Sequence, residues 1–453
     1  MTSSTASPSQ TAQERPEAPD ISPKTVARPD AIGDARQIVL HMIIFTVAAL
    51  IVCSRRPDAV RNAQFWAEDG ANWYADAYNL GLRSLWMSQA GYLHTLARLI
   101  ALLALLVPCS FAPLLINLSA IVVQVLPANV FLSSRFSNLA FSRRLLASFV
   151  YLGLPNTFEI NANLATIQWH MVLLARLVLL AQPPKHWGWR VLDGIVLVLI
   201  SLEGPTGALL APVAAFLWWK RRQRWQLAPL AALAPGEAIQ ALTVLLNWHA
   251  RYPHHLNLAG DVVVNGGPNG ATYSRFFRIL GRQVFLPSLL GTHGWLVHSR
   301  AIHAAEAIMT LLGVTVLVYA LRRGPLELKL FVGFAFTVFA MALARPIAGP
   351  PSHPQWWYLC IRGVGNRYYF LPMLAFLSSL WWLASRSVSP RWLRNAAVVL
   401  LLLLPIGICE DWRYPPFVDY HFQKYAEQFG CAPSGTEVTI PINPDWSMKL
   451  TKR

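Results

Sequence analysis

Charge is scarce in this chain, and negative charge scarcest: charged residues make up 13%, with 22 Asp and Glu against 38 Lys and Arg. An ordinary soluble domain carries roughly a quarter charged residues. With 55% hydrophobic residues, the composition excludes that class and leaves a polytopic membrane protein. Cysteine is sparse too. Cys53, Cys109, Cys360, Cys409 and Cys431 show no C-x2-C spacing, which argues against zinc. Cys409 and Cys431 would share one face, where a disulfide could tether the tail; more often such residues are small buried apolar groups. No phosphate loop is present: Asn265 to Gly270 is turn-rich but lacks the Lys and the Ser or Thr that hold phosphate and magnesium. Nucleotide binding therefore has no support. No internal repeat is evident, which weighs against a transporter built from repeated halves.

What remains is a series of apolar runs. They begin near Gln37 to Cys53 and recur at Phe111 to Leu132, Leu164 to Ala181, Val191 to Leu202, Ala208 to Trp219, Leu227 to Trp248, Ala301 to Leu321, Leu328 to Ala344, Tyr369 to Ala384 and Ala396 to Ile408. Several fall short of the ~20 residues of a straight span, so their ends must extend into flanking polar residues. The expected fold is all-α, a polytopic transmembrane helical bundle of about 10–12 spans. Residues 1–36, rich in Ser, Thr, Pro and Ala, read as a disordered cytoplasmic tail. No secretory signal with a small-residue cleavage site is seen there, so the first span is expected to be retained.

A net charge of +16 in a soluble protein would suggest nucleic acid. Here Lys220, Arg221, Arg222 and Arg224, then Arg322 and Arg323, then Arg386, Arg391 and Arg394 lie at the ends of successive spans, the pattern of cytoplasmic ends. The membrane domain, residues 37–409, is then expected to carry extracytoplasmic loops at 54–92, 248–300 and 346–367, with an extracytoplasmic tail at 410–453. The expected location is a bacterial inner membrane, multi-pass. Two features strain this topology. It closes only if one short run, Leu93 to Val107 or Leu145 to Leu154, fails to cross, and Arg55, Arg56 and Arg61 offend the positive-inside rule.

Against this background Phe65-Trp66-Ala67-Glu68-Asp69-Gly70, followed by Asn72, Trp73, Tyr74 and Asp76, stands out. Adjacent carboxylates repel, so they are found where a cation or proton is handled. Glu68 and Asp69 could bind a divalent cation, magnesium or manganese, or take a proton from an acceptor hydroxyl; a plainer reading is that they cap a helix. His94 and Arg98, four apart, share one helical face and could meet phosphate, or else anchor the segment at the interface. Between Pro155 and His170 polar residues crowd a span mouth, Glu159, Asn163, Gln168 and Trp169 among them. Amides beside a Trp platform suit hydroxyl-rich ligands such as sugars. Glu203-Gly204-Pro205-Thr206-Gly207 breaks another span and frees backbone groups to line a pocket. Arg367, with Tyr368 beside it, is a candidate for gripping a lipid phosphate, and helix-end snorkelling explains a lone Arg as well. The histidines His249, His254, His255, His293 and His298 have no ligand spacing and read as surface groups.

Four motifs carry a resemblance: Trp66-Ala67-Glu68-Asp69-Gly70, Gly91-Tyr92-Leu93-His94, Asn163 with Gln168-Trp169, and Gly365-Asn366-Arg367-Tyr368, together with the ending Ile442-Asn443-Pro444-Asp445-Trp446-Ser447-Met448. The chain from about Gln37 onward resembles a group of bacterial polytopic proteins similar to the GT-C superfamily, integral membrane glycosyltransferases that take sugars from polyprenyl-phosphate carriers. The resemblance implies catalytic Asp69 and Glu68, with the donor phosphate held by basic residues of later loops, for which Arg98 and Arg367 are the choices here. Trp66, Trp73, Asp76, His94, Glu159, Asn163, Trp169 and Tyr368 complete the expected substrate-binding set. The expected partners are a polyprenyl-phosphate-linked sugar donor, a glycan or lipid acceptor and membrane lipid, with no nucleic acid. A large soluble C-terminal domain like that of oligosaccharyltransferases is lacking, which puts a protein acceptor in doubt. A lipid-linked glycan flippase, or a glycan ligase or polymerase, is the alternative.

Overall fold

The computed structural model describes residues 31–247, 269–292, 302–344, 346–350, 353–385 and 390–453. The first 30 residues of the expected tail, the five histidines named above and most of the 248–300 loop lie outside them. The chain divides into two compact units at Met42; the first is helical over its described residues, and everything below concerns the second, Ile43–Arg453.

The bundle is all-α apart from one hairpin. Its helices of ten or more residues are α1 (Ala31–Arg55), α2 (Thr95–Ala104), α3 (Ala112–Leu132), α4 (Phe141–Leu152), α5 (Ile167–Leu180), α6 (Trp187–Ser201), α7 (Leu210–Arg221), α8 (Leu227–Leu246), α9 (Ile302–Arg323), α10 (Leu326–Ala344), α11 (Asn366–Ala384), α12 (Arg391–Glu410) and α13 (Phe422–Cys431). Among the described residues, 6 helices are long and apolar enough to cross a membrane. These are α1, α3, α8, α9, α10 and α12; the other expected spans form shorter or less apolar helices. The first helix begins at Ala31, ahead of the apolar run, so the expected 1–36 tail is helical at its end. Both runs that troubled the topology are short helices, α2 of 10 residues and α4 of 12, below the ~17 that a span requires.

The helices pack through a core that includes Tyr369, Phe370 and Phe376 of α11 and Phe339 of α10. Lipid would cover outward residues such as Leu311 and Leu402, 71% and 70% exposed. Arg55 and Arg56 resolve their own anomaly. Both are fully buried and donate to main-chain carbonyls. Arg55 donates to Leu152 O and Leu154 O at 2.8 Å each and to Asp411 O at 3.2 Å. Arg56 donates to Phe158 O at 3.1 Å and lies 4.2 Å over the Phe417 ring. They hold the polar 154–163 loop against residues 411–417, work to which a rule about loop charge is blind.

The expected 410–453 tail is folded. After α13, β1 (Glu437–Ile442) and β2 (Trp446–Thr451) pair antiparallel, Ile440 facing Met448. The inward side of the hairpin buries Ile440, Ile442, Met448 and Leu450, the alternation of a half-buried strand pair. Cys409 and Cys431 are both free and exposed, so the tail is held by packing, without the disulfide considered above.

Candidate active site

The acidic loop takes its shape from the far end of the chain. Trp66 forms a parallel bridge with Asn443: Asn443 N–H donates to Phe65 O at 3.2 Å, and Ala67 N–H donates to Asn443 O at 2.5 Å. Ala67 is thereby held at φ 42°, a left-handed conformation that an alanine rarely adopts. The turn throws Glu68 and Asp69 to different sides, and Asp69 opens a π-helical turn, Asp69–Tyr74. Gly70 is required there because a Cβ would lie 2.9 Å from both Ile442 Cδ1 and Phe65 Cβ. The Asn443 side chain completes the clasp, accepting from Val418 N–H and donating to Val418 O, each at 2.9 Å.

The two carboxylates differ. Asp69 is 0% exposed. Its Oδ2 accepts from Leu164 N–H at 3.2 Å, while Oδ1 is buried without a partner among the described residues. Burial pushes its carboxyl well above the ordinary range, and the neighbouring Glu68 pushes the same way against the main-chain amides of Leu164 and Ala165. Glu68 is half-buried. Its charge reaches Tyr92, whose phenol is pushed up to about 12 by burial, by Tyr368 and by Glu68, with Arg367 opposing. Glu68, Tyr92, Arg367 and Tyr368 thus lie within electrostatic reach of one another.

Asn366–Ala384 delivers Arg367 to that group. Arg367 pairs with Glu159, its main-chain N–H donates to Glu159 Oε2 at 3.2 Å, and its side chain donates to Ile347 O at 2.5 Å and to Tyr368 Oη at 3.1 Å. Trp169 stands edge-on to Tyr368 at 6.3 Å; its indole N–H and Gln168 Oε1 are buried without partners. Gly204 is the close approach beside them: a Cβ there would strike the Gln168 side chain, and its φ of +73° favours glycine. Asn163 works locally, donating to Glu159 O at 2.8 Å while accepting from the Thr166 hydroxyl at 2.8 Å. It shapes the loop that presents Glu159.

A second layer sits behind. His94 and Arg98 do share a face, and what fills it is Trp73: its ring lies 4.8 Å from the His94 ring and 4.9 Å from the Arg98 guanidinium carbon. Arg98, 1% exposed, pairs with Asp76 at 3.0 Å. Its charge is therefore compensated inside the fold, and as a phosphate ligand it would have to leave Asp76. Arg367 is committed in the same way to Glu159. Trp66 is turned aside, stacked on Phe417 at 4.9 Å, and holds the clasp instead of facing Tyr92 and Arg367. Glu203 was legible only as part of a helix break. It is fully buried, pairs with His94 at 3.5 Å and accepts from Leu96 N–H at 2.7 Å. Gln240 of α8, which no motif flagged, ties the break to the α2 entry, accepting from Leu93 N–H at 2.9 Å and donating to Leu93 O and Gly204 O at 3.1 Å each.

The free Oδ1 of Asp69 and the half-buried Glu68 suit a hard cation, yet among the described residues no group of three His, Cys, Asp or Glu could hold a metal. A cation there would take its other ligands from water and substrate phosphate, as magnesium commonly does.

No protein-family model matches the sequence, and no curated protein is significantly similar to it. Among solved structures, the chain is similar to the Archaeoglobus fulgidus oligosaccharyltransferase in its apo form, with a TM-score of 0.42 at 12% identity. It is also similar to the archaeal oligosaccharyltransferase AglB from the same organism in complex with an inhibitory peptide and a dolichol-phosphate, with a TM-score of 0.41 at 13% identity. Each match covers 87% of this chain and 58% of the other, so the chain spans less than two thirds of the length of those enzymes.

Proposed function

We propose that this protein is an integral membrane glycosyltransferase, moving a sugar from a polyprenyl-phosphate donor to a hydroxyl of a cell-surface glycan or lipid. The observation that carries the reading is the split pair: a buried Asp69 with one oxygen unpartnered, next to a half-buried Glu68 whose field reaches Tyr92 and Arg367. Its raised pKa favours Asp69 protonated, which leaves Glu68 as the carboxylate able to take a proton. The acceptor oxygen attacks the sugar C1 from the face opposite the lipid phosphate, the C1–O bond to that phosphate breaks, and the hydroxyl proton passes to Glu68. The reaction inverts the anomeric centre. The departing phosphate needs charge neutralisation more than a proton, which guanidinium groups supply; a divalent cation would supply it too, but only with Asp69 ionised beside Glu68.

The test is transfer by the full chain reconstituted in liposomes with a radiolabelled polyprenyl-phosphate sugar and a glycan or glycolipid acceptor. Loss of a positioned general base lowers such a rate roughly 10²- to 10⁴-fold, the drop expected for Glu68→Gln. Normal transfer by both Glu68→Gln and Asp69→Asn would end the assignment. Movement of the intact donor across the bilayer without transfer would make the protein a flippase.

A further inference from the structure

We propose that a second site, a cavity walled by Arg275, Arg278, Arg282 and Arg362, binds a phosphate or diphosphate group. The cavity holds about 630 Å³ and is also lined by Thr292, Trp357, Cys360 and Ile361. Its frame is rigid. Glu306 of α9 takes Arg282 at 2.8 Å and Arg362 at 2.5 Å, and a second Arg282 nitrogen donates to Cys360 O at 3.1 Å. Gln283, fully buried, donates to Leu359 O at 2.8 Å and to Ile361 O at 2.5 Å, and its own carbonyl receives the Asn156 side chain at 3.0 Å. Four guanidinium groups thus line one space, and among the described residues Glu306 pairs with two of them. Asp411, at the edge, is occupied by Thr292 and by the Asn156 amide at 2.8 Å.

Cations held this close repel, and Arg362 lies in the fields of both Arg282 and Arg278. Such an arrangement is stable when an anion completes it, and phosphate oxygens match the guanidinium fork better than any other common ligand. Arg275 donates to Gly270 O at 2.5 Å, and Arg278 is exposed; among the described residues neither pairs with a carboxylate. At the rim Trp357 and Ile361 are 41% and 40% exposed, apolar surface that suits the first carbons of an amphiphile as readily as it borders water. The volume is that of a small-molecule site. The inference is independent of sugar transfer at Glu68, from which it differs in both residues and charge.

The experiment titrates the full chain in detergent with inorganic diphosphate, farnesyl phosphate and farnesol. Both phosphates are expected to bind and farnesol not, with affinity falling as salt rises. Arg278→Ala should weaken binding on the order of tenfold, the value of one charge-assisted hydrogen bond, and Arg275→Ala with Arg278→Ala should weaken it further. Because Arg278 is exposed, its thermal unfolding should match wild type. Farnesyl phosphate binding more tightly than diphosphate assigns the site to a lipid carrier; equal affinities assign it to a soluble phosphate. Glu68→Gln should bind as wild type does, whatever its transfer activity. Failure of the wild type to bind either phosphate, or unchanged binding by the double variant, overturns the proposal.

Discussion

Two regions of this molecule gather arginine and treat it oppositely. Around the acidic loop each of these guanidiniums has a partner inside the fold: Arg98 in Asp76, Arg367 in Glu159, Arg55 and Arg56 in main-chain carbonyls. In the cavity beside α9, Glu306 takes two of the four lining arginines, Arg282 and Arg362. The first set builds a shape and the second leaves charge over. Matched charge in a low-dielectric site fixes geometry at little net gain in stability; surplus charge calls for a ligand.

The largest effect that would break this contrast is on activity. Glu68→Gln should abolish most transfer while Asp69→Asn, which keeps an oxygen for the Leu164 amide, should retain a greater share. Equal losses would merge the two roles. Next comes stability. Arg55→Ala strands the buried carbonyls of Leu152 and Leu154, and unsatisfied buried groups cost about 1–3 kcal/mol each. A fall of about 3 kcal/mol or more is expected in the thermal unfolding of the detergent-solubilised protein, whereas Arg278→Ala should leave it unchanged. An equal fall in both would erase the distinction between framing and surplus arginines.

Asn443→Ala should cost about 1–2 kcal/mol through the lost Val418 pair, and should lower transfer at unchanged expression because Ala67 loses part of its clasp. Smallest is the pH effect at Asp69. Burial raises its folded pKa well above the ordinary carboxylate range, so the native state holds the proton more tightly than the unfolded chain. Its contribution to stability is full below that range and is lost as pH climbs toward the folded pKa. Asp69→Asn should therefore lose less stability than wild type between about pH 4 and pH 7, measured as the change in unfolding midpoint.

Much of the site was legible as motifs and little of it as pairings. Glu68 and Asp69, the Tyr92 to His94 entry, Gln168 with Trp169 and the Gly204 break each announced itself as polarity or helix-breaking where an apolar run was due. Glu68, Tyr92, Arg367 and Tyr368 lie within electrostatic reach of one another, and His94 meets Glu203. Invisible beforehand was which charges cancel. Arg98 and Arg367 drew notice as free cations, and only the fold brings Asp76 and Glu159 against them. The cavity arginines carry no signal in the sequence because Arg275, Arg278 and Arg282 fall in a stretch expected to be loop, which folds as a short helix, Tyr273–Ile279, and a π-helical turn, Leu280–Phe285, while Arg362 lies far along the chain. Helix boundaries followed the apolar runs closely for the long spans, since burial in lipid sets their length. They strayed at α1, where the helix begins at Ala31, ahead of the apolar stretch, and in residues 410–453, where alternation over Glu437–Ile442 was too short to stand out.

The clasp of Asn443 on Ala67 has a temporal meaning. A ribosome delivers the Phe65–Tyr74 loop hundreds of residues before the strands that mould it, so insertion of the spans and completion of the reactive loop are separate events. Until Asn443 docks, the Phe65–Tyr74 loop lacks the main-chain partners that set its turn.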